Sequence, residues 1–217
     1  PARRDWLIQL MEGVEDIPHP VLVDGLPWTW ETYPQYLDFL AERQFDMDVC
    51  SQLPHAALRV YVMGQRGVDR EAATQADLLA MAELAREAML AGALGITTSR
   101  TFFHRSSDGR STPSFEAAEA ELLALAGVLA ETNRGVIQLI TDFEPIEETF
   151  GLLRRLVERS GRPLSVSLLE GGYGPMTLRW HDVLEWAAGA GTAEAPIRAQ
   201  VLSRAIGVMF GHELTLN

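Results

Sequence analysis

The feature that most constrains this chain is a regular alternation between short apolar, β-rich runs and long amphipathic helical stretches. Each helical stretch repeats apolar residues at steps of three and four, which is typical of a helix with one buried face. Repeated β-then-α units predict a parallel sheet covered by helices. The strands are predicted at 45–52, 93–99, 135–141, 163–169 and 196–202.

The helical stretches carry stop signals at their ends. Gly92, Asn133 and Gly161 each stand just before a predicted strand, and these residue types favour the left-handed conformation that ends helices. The region before residue 45 is different, with a segment rich in Trp and Pro followed by a helix predicted at about 30–43. No internal repeat or low-complexity tract indicates a domain boundary.

Five β/α units are compatible with two topologies. One is a doubly wound open sheet, as in flavodoxin-like binding domains. The other is part of an eight-stranded (β/α) barrel. The near-continuous apolar strands suit both, because both cover the two faces of the sheet.

Composition narrows the class of partner. The chain has 217 residues and a formal net charge of −12, and a strong negative field repels phosphate backbones, so nucleic acid is not expected to bind. No apolar stretch is long enough to span a bilayer, and the cytoplasm is the expected location. Cys50, the single cysteine, lies in the first predicted strand and is expected to be a core thiol.

The loops after the strands hold the candidate functional residues, since active sites of parallel α/β proteins form at the carboxyl ends of the strands. Purely structural roles remain open for several of them. His55 could be the first residue of a helix, Asp142 could be an acidic residue favoured by the dipole at a helix N-terminus, and Glu170 could be a solvated surface residue. The loops contribute His55 and Arg59 after the first strand, Ser99, Arg100, His104 and Arg105 after the second, Asp142 after the third, and Glu170 and Tyr173 after the fourth.

Three stretches, "LMEGVEDIP", "LPHAALRVYVMG" and "GALGITTSRTFFHRSSDG", resemble the N-acyl-D-amino-acid deacylase (D-aminoacylase) branch of the amidohydrolase superfamily. The resemblance implies a metal-dependent (β/α)₈ barrel with a small β-sandwich, in proteins that are well over twice as long as this chain. Residues 1–217 would then be an internal segment that holds the third to seventh strands, with 1–44 a helical and irregular excursion packed on it.

The resemblance also implies a metal site whose ligands lie mostly outside this chain, with zinc or another divalent metal as cofactor. Two family histidines should follow the fifth and sixth barrel strands, but Ile140 and Leu168 or Leu169 stand at those positions. Asp142 and Glu170 are the tentative replacements as metal ligands. An aliphatic side chain cannot bind a metal, so three alternatives stay open: Asp142 or Glu170 substitutes as an oxygen ligand, the site is mononuclear, or the protein has lost the metal.

On this resemblance the protein is expected to hydrolyse non-peptide C–N bonds of N-acyl amino acids or related amides by metal-activated water. The guanidinium groups would capture a substrate carboxylate. The predicted catalytic residues are His55, His104 and Asp142, and the predicted substrate-binding residues are Arg59, Ser99, Arg100, Arg105 and Tyr173.

The main alternative is a metal-free, non-catalytic or regulatory barrel that binds a carboxylated small molecule. In either case the strands at 45–52 and 196–202 would lack neighbours within this segment. Unpaired edges seek partners, so the edges are expected to pair with the remaining chain segments or with a second copy, and the segment alone is expected to be inactive.

Overall fold

The computed structural model describes residues 4–169 and 180–204. A five-stranded sheet runs through these residues in the order β1-β2-β3-β4-β5, and every neighbouring pair is parallel. The strands are β1 (Leu53–Pro54), β2 (Gly95–Arg100), β3 (Val136–Thr141), β4 (Leu164–Ser167) and β5 (Ile197–Gln200).

The strand order decides between the two topologies. A doubly wound sheet reverses its strand order at a switch point, whereas each strand here lies beside its neighbours in the chain. Consecutive parallel strands with intervening helices form the wall of a (β/α) barrel. The barrel-segment prediction is therefore confirmed, and the flavodoxin-like alternative is wrong.

The predicted helix ends are confirmed at three positions. Gly92, Asn133 and Gly161 all adopt the left-handed conformation that follows a helix, with φ of 116°, 49° and 60°. The helices are α1 (Arg4–Glu15), α2 (His19–Gly25), α3 (Tyr33–Ala41), α4 (His55–Met63), α5 (Gln65–Val68), α6 (Gln75–Ala91), α7 (Glu119–Thr132), α8 (Ile146–Ser160) and α9 (Trp180–Ala190).

The core lies between the sheet and its helices. Ile96, Thr98 and Ile137 line a small cavity together with residues of α7 and α8. Leu164, Val166 and Ile197 are buried at equivalent positions further along the sheet. Side chains alternate between the two faces of a strand. The intervening residues therefore point to the opposite face, the inner face of the barrel wall. In the part of the chain described, no helix is both long and apolar enough to cross a membrane.

The first predicted strand is wrong. Residues 45–52 form no strand; they are largely exposed, with Met47 76% exposed, and pairing with β2 is confined to Leu53 and Pro54. Cys50, predicted to be buried, is exposed. β1 is the edge of the described sheet, so no further strand covers the apolar side chains that produced the strand pattern.

The N-terminal region packs on the loop that follows β2. The Ser107 amide donates to the carbonyl of Gln9 at 3.0 Å. A Cβ on Gly13 would lie 2.2 Å from the carbonyl oxygen of Arg105, so only glycine permits this approach of α1. Thr32 caps α3 through a reciprocal capping box with Gln35.

Gly95 provides a test of the strand register. A Cβ at this position would lie 2.0 Å from the carbonyl oxygen of Val136 on β3, so Gly95→Ala must push the two strands apart. We expect a loss of about 1–3 kcal/mol in the free energy of unfolding, measured by urea denaturation. Gly189→Ala is the control, because its Cβ meets nothing within 4 Å and alanine favours α9 by up to about 1 kcal/mol. Equal effects would contradict the register.

Candidate functional site at the carboxyl ends of β2 and β3

Ser99 and His104 meet at the carboxyl end of β2. Ser99 points to the inner face, since its neighbour Thr98 faces the helices, and it pairs with Ile140 of β3 in the sheet register. Its Oγ lies 2.9 Å from Nδ1 of His104, and both side chains are partly buried. Burial lowers the pKa of the His104 imidazole, while the carboxylates of Glu15 and Asp142 oppose that shift.

Asp142 connects the ends of the two central strands. It follows β3 directly, and its Oδ1 accepts a hydrogen bond from the Thr101 hydroxyl. Its Oδ2 accepts from the backbone amide of Phe102 at 2.9 Å. Both carboxylate oxygens thus hold the start of the loop that carries His104. The sequence-based choice of Asp142 as a residue of this edge agrees with its position, and these contacts make it an anchor of the loop.

His55 lies on the opposite face of the sheet, inside the core. Its side chain is 0% exposed. Nδ1 lies 2.8 Å from Oγ1 of Thr98 and Nε2 lies 2.6 Å from Oε1 of Glu121 on α7. A neutral imidazole that accepts from Thr98 and donates to Glu121 satisfies both contacts. Burial lowers the pKa of His55, the interactions with Glu121 oppose the shift, and the Arg59 charge adds to it.

Arg59 completes this buried network. It is 1% exposed, and its Nε lies 3.3 Å from Oε1 of Glu121. Its Nη1 donates to the carbonyl of Pro113 at 3.2 Å and its Nη2 to the carbonyl of Glu71 at 2.6 Å. Burial lowers the pKa of Arg59 and the Glu121 charge opposes the shift. The guanidinium therefore neutralises the buried carboxylate.

These positions correct two sequence-based predictions. His55 was predicted to be catalytic and Arg59 to bind substrate, but both are closed off from solvent by the helix layer. They follow β1, yet α4 begins at His55 itself, so its first turns carry both side chains under the helices instead of to the open edge. Sequence reasoning missed their partner Glu121, because an acidic residue near a helix start is usually solvated.

The remaining predicted substrate-binding arginines occupy different places. Arg100 follows Ser99 and so points to the helix layer, where its Nη1 donates to the carbonyl of Ala117 at 2.7 Å. Burial lowers the pKa of Arg100, and the charges of Glu116 and Glu119 oppose that shift. Arg105 lies in the loop of His104 and donates to the carbonyl of Gly109 at 2.9 Å. Arg105 thus lies in the same loop as His104 and directly after it in the chain.

A cleft of about 490 Å³ lies between the N-terminal ends of α7 and α8. It borders Arg100 and Asp142 but opens on the helix side of the sheet, and Arg155 in its wall is paired with Glu119. Carboxylates outnumber guanidinium groups in its lining, so its field repels an anionic substrate. The acidic lining residues are Glu116, Glu119, Asp142, Glu144, Glu147 and Glu148.

The donor set for a metal is poor in the residues described. Within 4–169 and 180–204, no three His, Cys, Asp or Glu side chains are grouped so that they could hold a metal ion. Leu169 continues the inner face of β4, whereas Leu168 is buried on the helix side. Both inner-face positions where the family histidines were expected, Ile140 and Leu169, are thus aliphatic. Glu170 and Tyr173 lie outside the described residues.

The inner face holds polar residues that sequence reasoning missed. Gln138 on β3 donates from Nε2 to Oε1 of Gln200 on β5 at 3.1 Å, and the Ser165 hydroxyl on β4 lies 3.4 Å from the same oxygen. The strands were interpreted as near-continuous apolar runs. The available signal was the polar residue at every second position of "LSVS" and "IRAQ", together with Gln138 inside "VIQLIT".

The profile of the amidohydrolase family matches residues 2–217 of the chain. This chain belongs to the amidohydrolase family. A D-aminoacylase from Alcaligenes xylosoxydans xylosoxydans is 30% identical over 139 residues, which is 64% of this chain and 27% of that protein. The predicted resemblance to the D-aminoacylase branch is therefore confirmed.

Solved structures of amidohydrolases share the fold. One D-aminoacylase structure, determined in work on the role of its binuclear metal centre, superposes with a TM-score of 0.63 at 22% identity, covering 78% of this chain and 33% of that chain. An N-acyl-D-glutamate deacylase from Bordetella bronchiseptica, complexed with zinc and a phosphonate inhibitor, gives 0.54 at 19% identity with the same coverage. The chain thus spans about a quarter to a third of the relatives' length.

The buried carboxylate can be tested against an exposed one on the same helix. Glu121→Ala leaves Arg59 charged and unpaired in the core, which costs about 3–5 kcal/mol of unfolding free energy. Glu119→Ala removes only the solvent-exposed partner of Arg155, which is worth about 0–1 kcal/mol. Urea denaturation of both variants measures the difference, and a similar loss in the two would refute the buried network.

The lowered pKa of His55 predicts a pH dependence of stability. At a pH between the folded pKa of His55 and its ordinary value of 6.5, the imidazole is protonated in the unfolded chain but not in the native core. The neutral buried His55 therefore contributes its full stability above a pH of 6.5, and this contribution is lost as the pH falls. We expect His55→Gln to lose less stability than the wild type between about pH 7.5 and about pH 5.5. Substitution of the exposed His181 by Gln is the control and should keep the wild-type slope in thermal denaturation.

Proposed function

We propose that the protein hydrolyses a non-peptide C–N bond in an N-acyl amino acid or a related small amide. The observation that carries the proposal is the convergence of Ser99, His104 and Asp142 at the carboxyl ends of β2 and β3, in a chain of the amidohydrolase family. The carboxyl ends of barrel strands are where enzymes of this fold form their active sites. The named relatives, a D-aminoacylase and an N-acyl-D-glutamate deacylase, support this substrate class.

Substrate recognition is proposed for the loop after β2. An N-acyl amino acid carries a free carboxylate, and a guanidinium can hold a carboxylate through two parallel hydrogen bonds. Arg105 is partly exposed and lies one residue after His104, so it is our first candidate for this contact. Ser99 and Tyr173 remain proposed substrate-binding residues, and Arg100 would act only if it left its hydrogen bond to Ala117.

A divalent cofactor, with zinc as the first choice, is proposed from the relatives, which include a D-aminoacylase with a binuclear metal centre and a deacylase complexed with zinc. The described residues do not fit such a group: the inner-face positions hold Ile140 and Leu169, and both oxygens of Asp142 already accept hydrogen bonds. The ligands would have to come mostly from residues other than those described. Glu170 remains a proposed ligand.

A second candidate function is a metal-free, non-catalytic or regulatory barrel that binds a carboxylated small molecule. The two aliphatic residues at Ile140 and Leu169 favour it, because they replace imidazole ligands with side chains that cannot bind a cation. Elemental analysis of the full polypeptide, together with an assay of amide hydrolysis, separates the two functions.

Exposed apolar residues lie next to both edge strands of the described sheet. Val201 and Leu202, just past the edge strand β5, are 64% and 58% exposed, and Met47 before β1 is 76% exposed. Apolar groups next to unpaired strand edges favour pairing with further β-strands. We propose that the remaining chain segments, or a second copy, cover these edges, and that the protein is cytoplasmic.

Asp142 provides the test of the proposed function. We expect the full polypeptide to hydrolyse N-acyl amino acids, and Asp142→Asn to lower kcat/KM by up to about 100-fold because it loosens the loop that positions His104. The metal content of the variant should stay at the wild-type level. Glu144→Gln, at an exposed side chain two residues further on, is the control and should keep full turnover. Loss of metal in Asp142→Asn would instead make Asp142 a ligand.

A further inference from the structure

Two hydroxyl–imidazole pairs flank β2, one on each face. Thr98 contacts His55 on the helix face, and Ser99 contacts His104 on the inner face. The first pair is fully buried and continues to the carboxylate of Glu121, so no substrate can reach it. The second pair is partly exposed at the edge of the sheet where barrel enzymes bind substrates.

The Ser99–His104 geometry is that of a nucleophile and its base. The distance of 2.9 Å between Oγ and Nδ1 lies within the hydrogen-bond reach required for proton transfer. Other described serines use their hydroxyls differently: Ser114 donates to the carbonyl of Ser99, and Ser106 donates to Asp108. The burial of His104 favours the neutral imidazole, the form that can accept a proton.

The surroundings of Ser99 strengthen this interpretation. Its register partner is Ile140, the aliphatic residue at one of the expected metal-ligand positions. An acyl group bound beside Ser99 would therefore contact no metal ligand from β3. It would contact the Ser99 hydroxyl, which lies within hydrogen-bond distance of the His104 imidazole. The anchor formed by Asp142, Thr101 and Phe102 holds the loop between the two members of the pair.

We propose that Ser99 and His104 form a nucleophile–base pair that transfers the acyl group through a covalent serine ester; this rests on the proposed amide hydrolysis. Oγ of Ser99 bonds to the acyl carbonyl carbon while its proton passes to His104. The C–N bond then breaks, and the leaving nitrogen takes that proton. A water molecule, deprotonated by His104, attacks the ester, and the carboxylic acid leaves as Ser99 recovers its proton.

The test is covalent labelling of the folded full polypeptide with a fluorophosphonate, which reacts with activated serines. We expect a phosphonyl adduct on Ser99, located by peptide mass spectrometry. His104→Gln should slow its formation by about 100-fold, the scale of general-base catalysis, and added imidazole should restore part of the rate. A structural role for His104 would not produce that rescue. No adduct on Ser99, or an unchanged rate in His104→Gln, would overturn the proposal.

Ser167 is the matched control. It ends β4, is partly buried as Ser99 is, and has no histidine partner among the residues described. Ser167→Ala should leave the labelling rate unchanged, whereas Ser99→Ala should abolish the adduct.

Turnover of N-acyl amino acids is measured with the same preparations, with and without a metal chelator. These measurements separate the proposed serine ester from the proposed hydrolysis of N-acyl amino acids. Full hydrolysis by Ser99→Ala would overturn the serine ester while hydrolysis itself stands. Labelled Ser99 without turnover of any N-acyl amino acid would support the pair and refute the proposed substrate class.

Discussion

The parallel pairing of β2 with β3, continuous from Gly95–Val136 to Arg100–Thr141, is the constraint on which the rest of the structure depends. It requires a glycine at position 95, because any larger residue would collide with the backbone of β3. It also determines which face each side chain of β2 takes. Thr98 is directed into the core and Ser99 to the inner face, so a slip of one residue would exchange the two.

Each face of β2 carries a hydroxyl–imidazole pair, but the two pairs have different roles. On the helix face, a charged carboxylate is buried with Arg59 and a neutral His55, since a lone buried charge would be prohibitively costly. On the inner face, Ser99 and His104 stay within reach of solvent, and Asp142 holds their loop through a backbone amide and a hydroxyl. Solvent access, more than residue type, separates a stabilising network from a candidate reactive pair.

Membership of the amidohydrolase family and the donor set of this chain point in different directions. The relatives include proteins with a binuclear metal centre and with bound zinc, whereas the inner-face positions here carry Ile140 and Leu169. Since aliphatic side chains offer no lone pair, metal chemistry in this protein would depend on residues beyond those described. The Ser99–His104 pair offers a route to the same bond cleavage from the residues that the chain does contain.

The sequence by itself determined the alternation of parallel strands with covering helices and the positions where the helices end, whereas the strand order of the folded sheet decided for a barrel wall over a doubly wound sheet. The predicted strands at 93–99, 135–141, 163–169 and 196–202 end within two residues of β2 to β5, and the helices end at Gly92, Asn133 and Gly161. Both agree because hydrophobic periodicity and the preference for the left-handed conformation are local properties. Only the tertiary structure decided that 45–52 is exposed, since a strand needs a neighbour. It also decided that His55 and Arg59 are buried and that Ser99 meets His104, because a side chain's solvent access depends on which distant element, such as α7 with Glu121, packs over it.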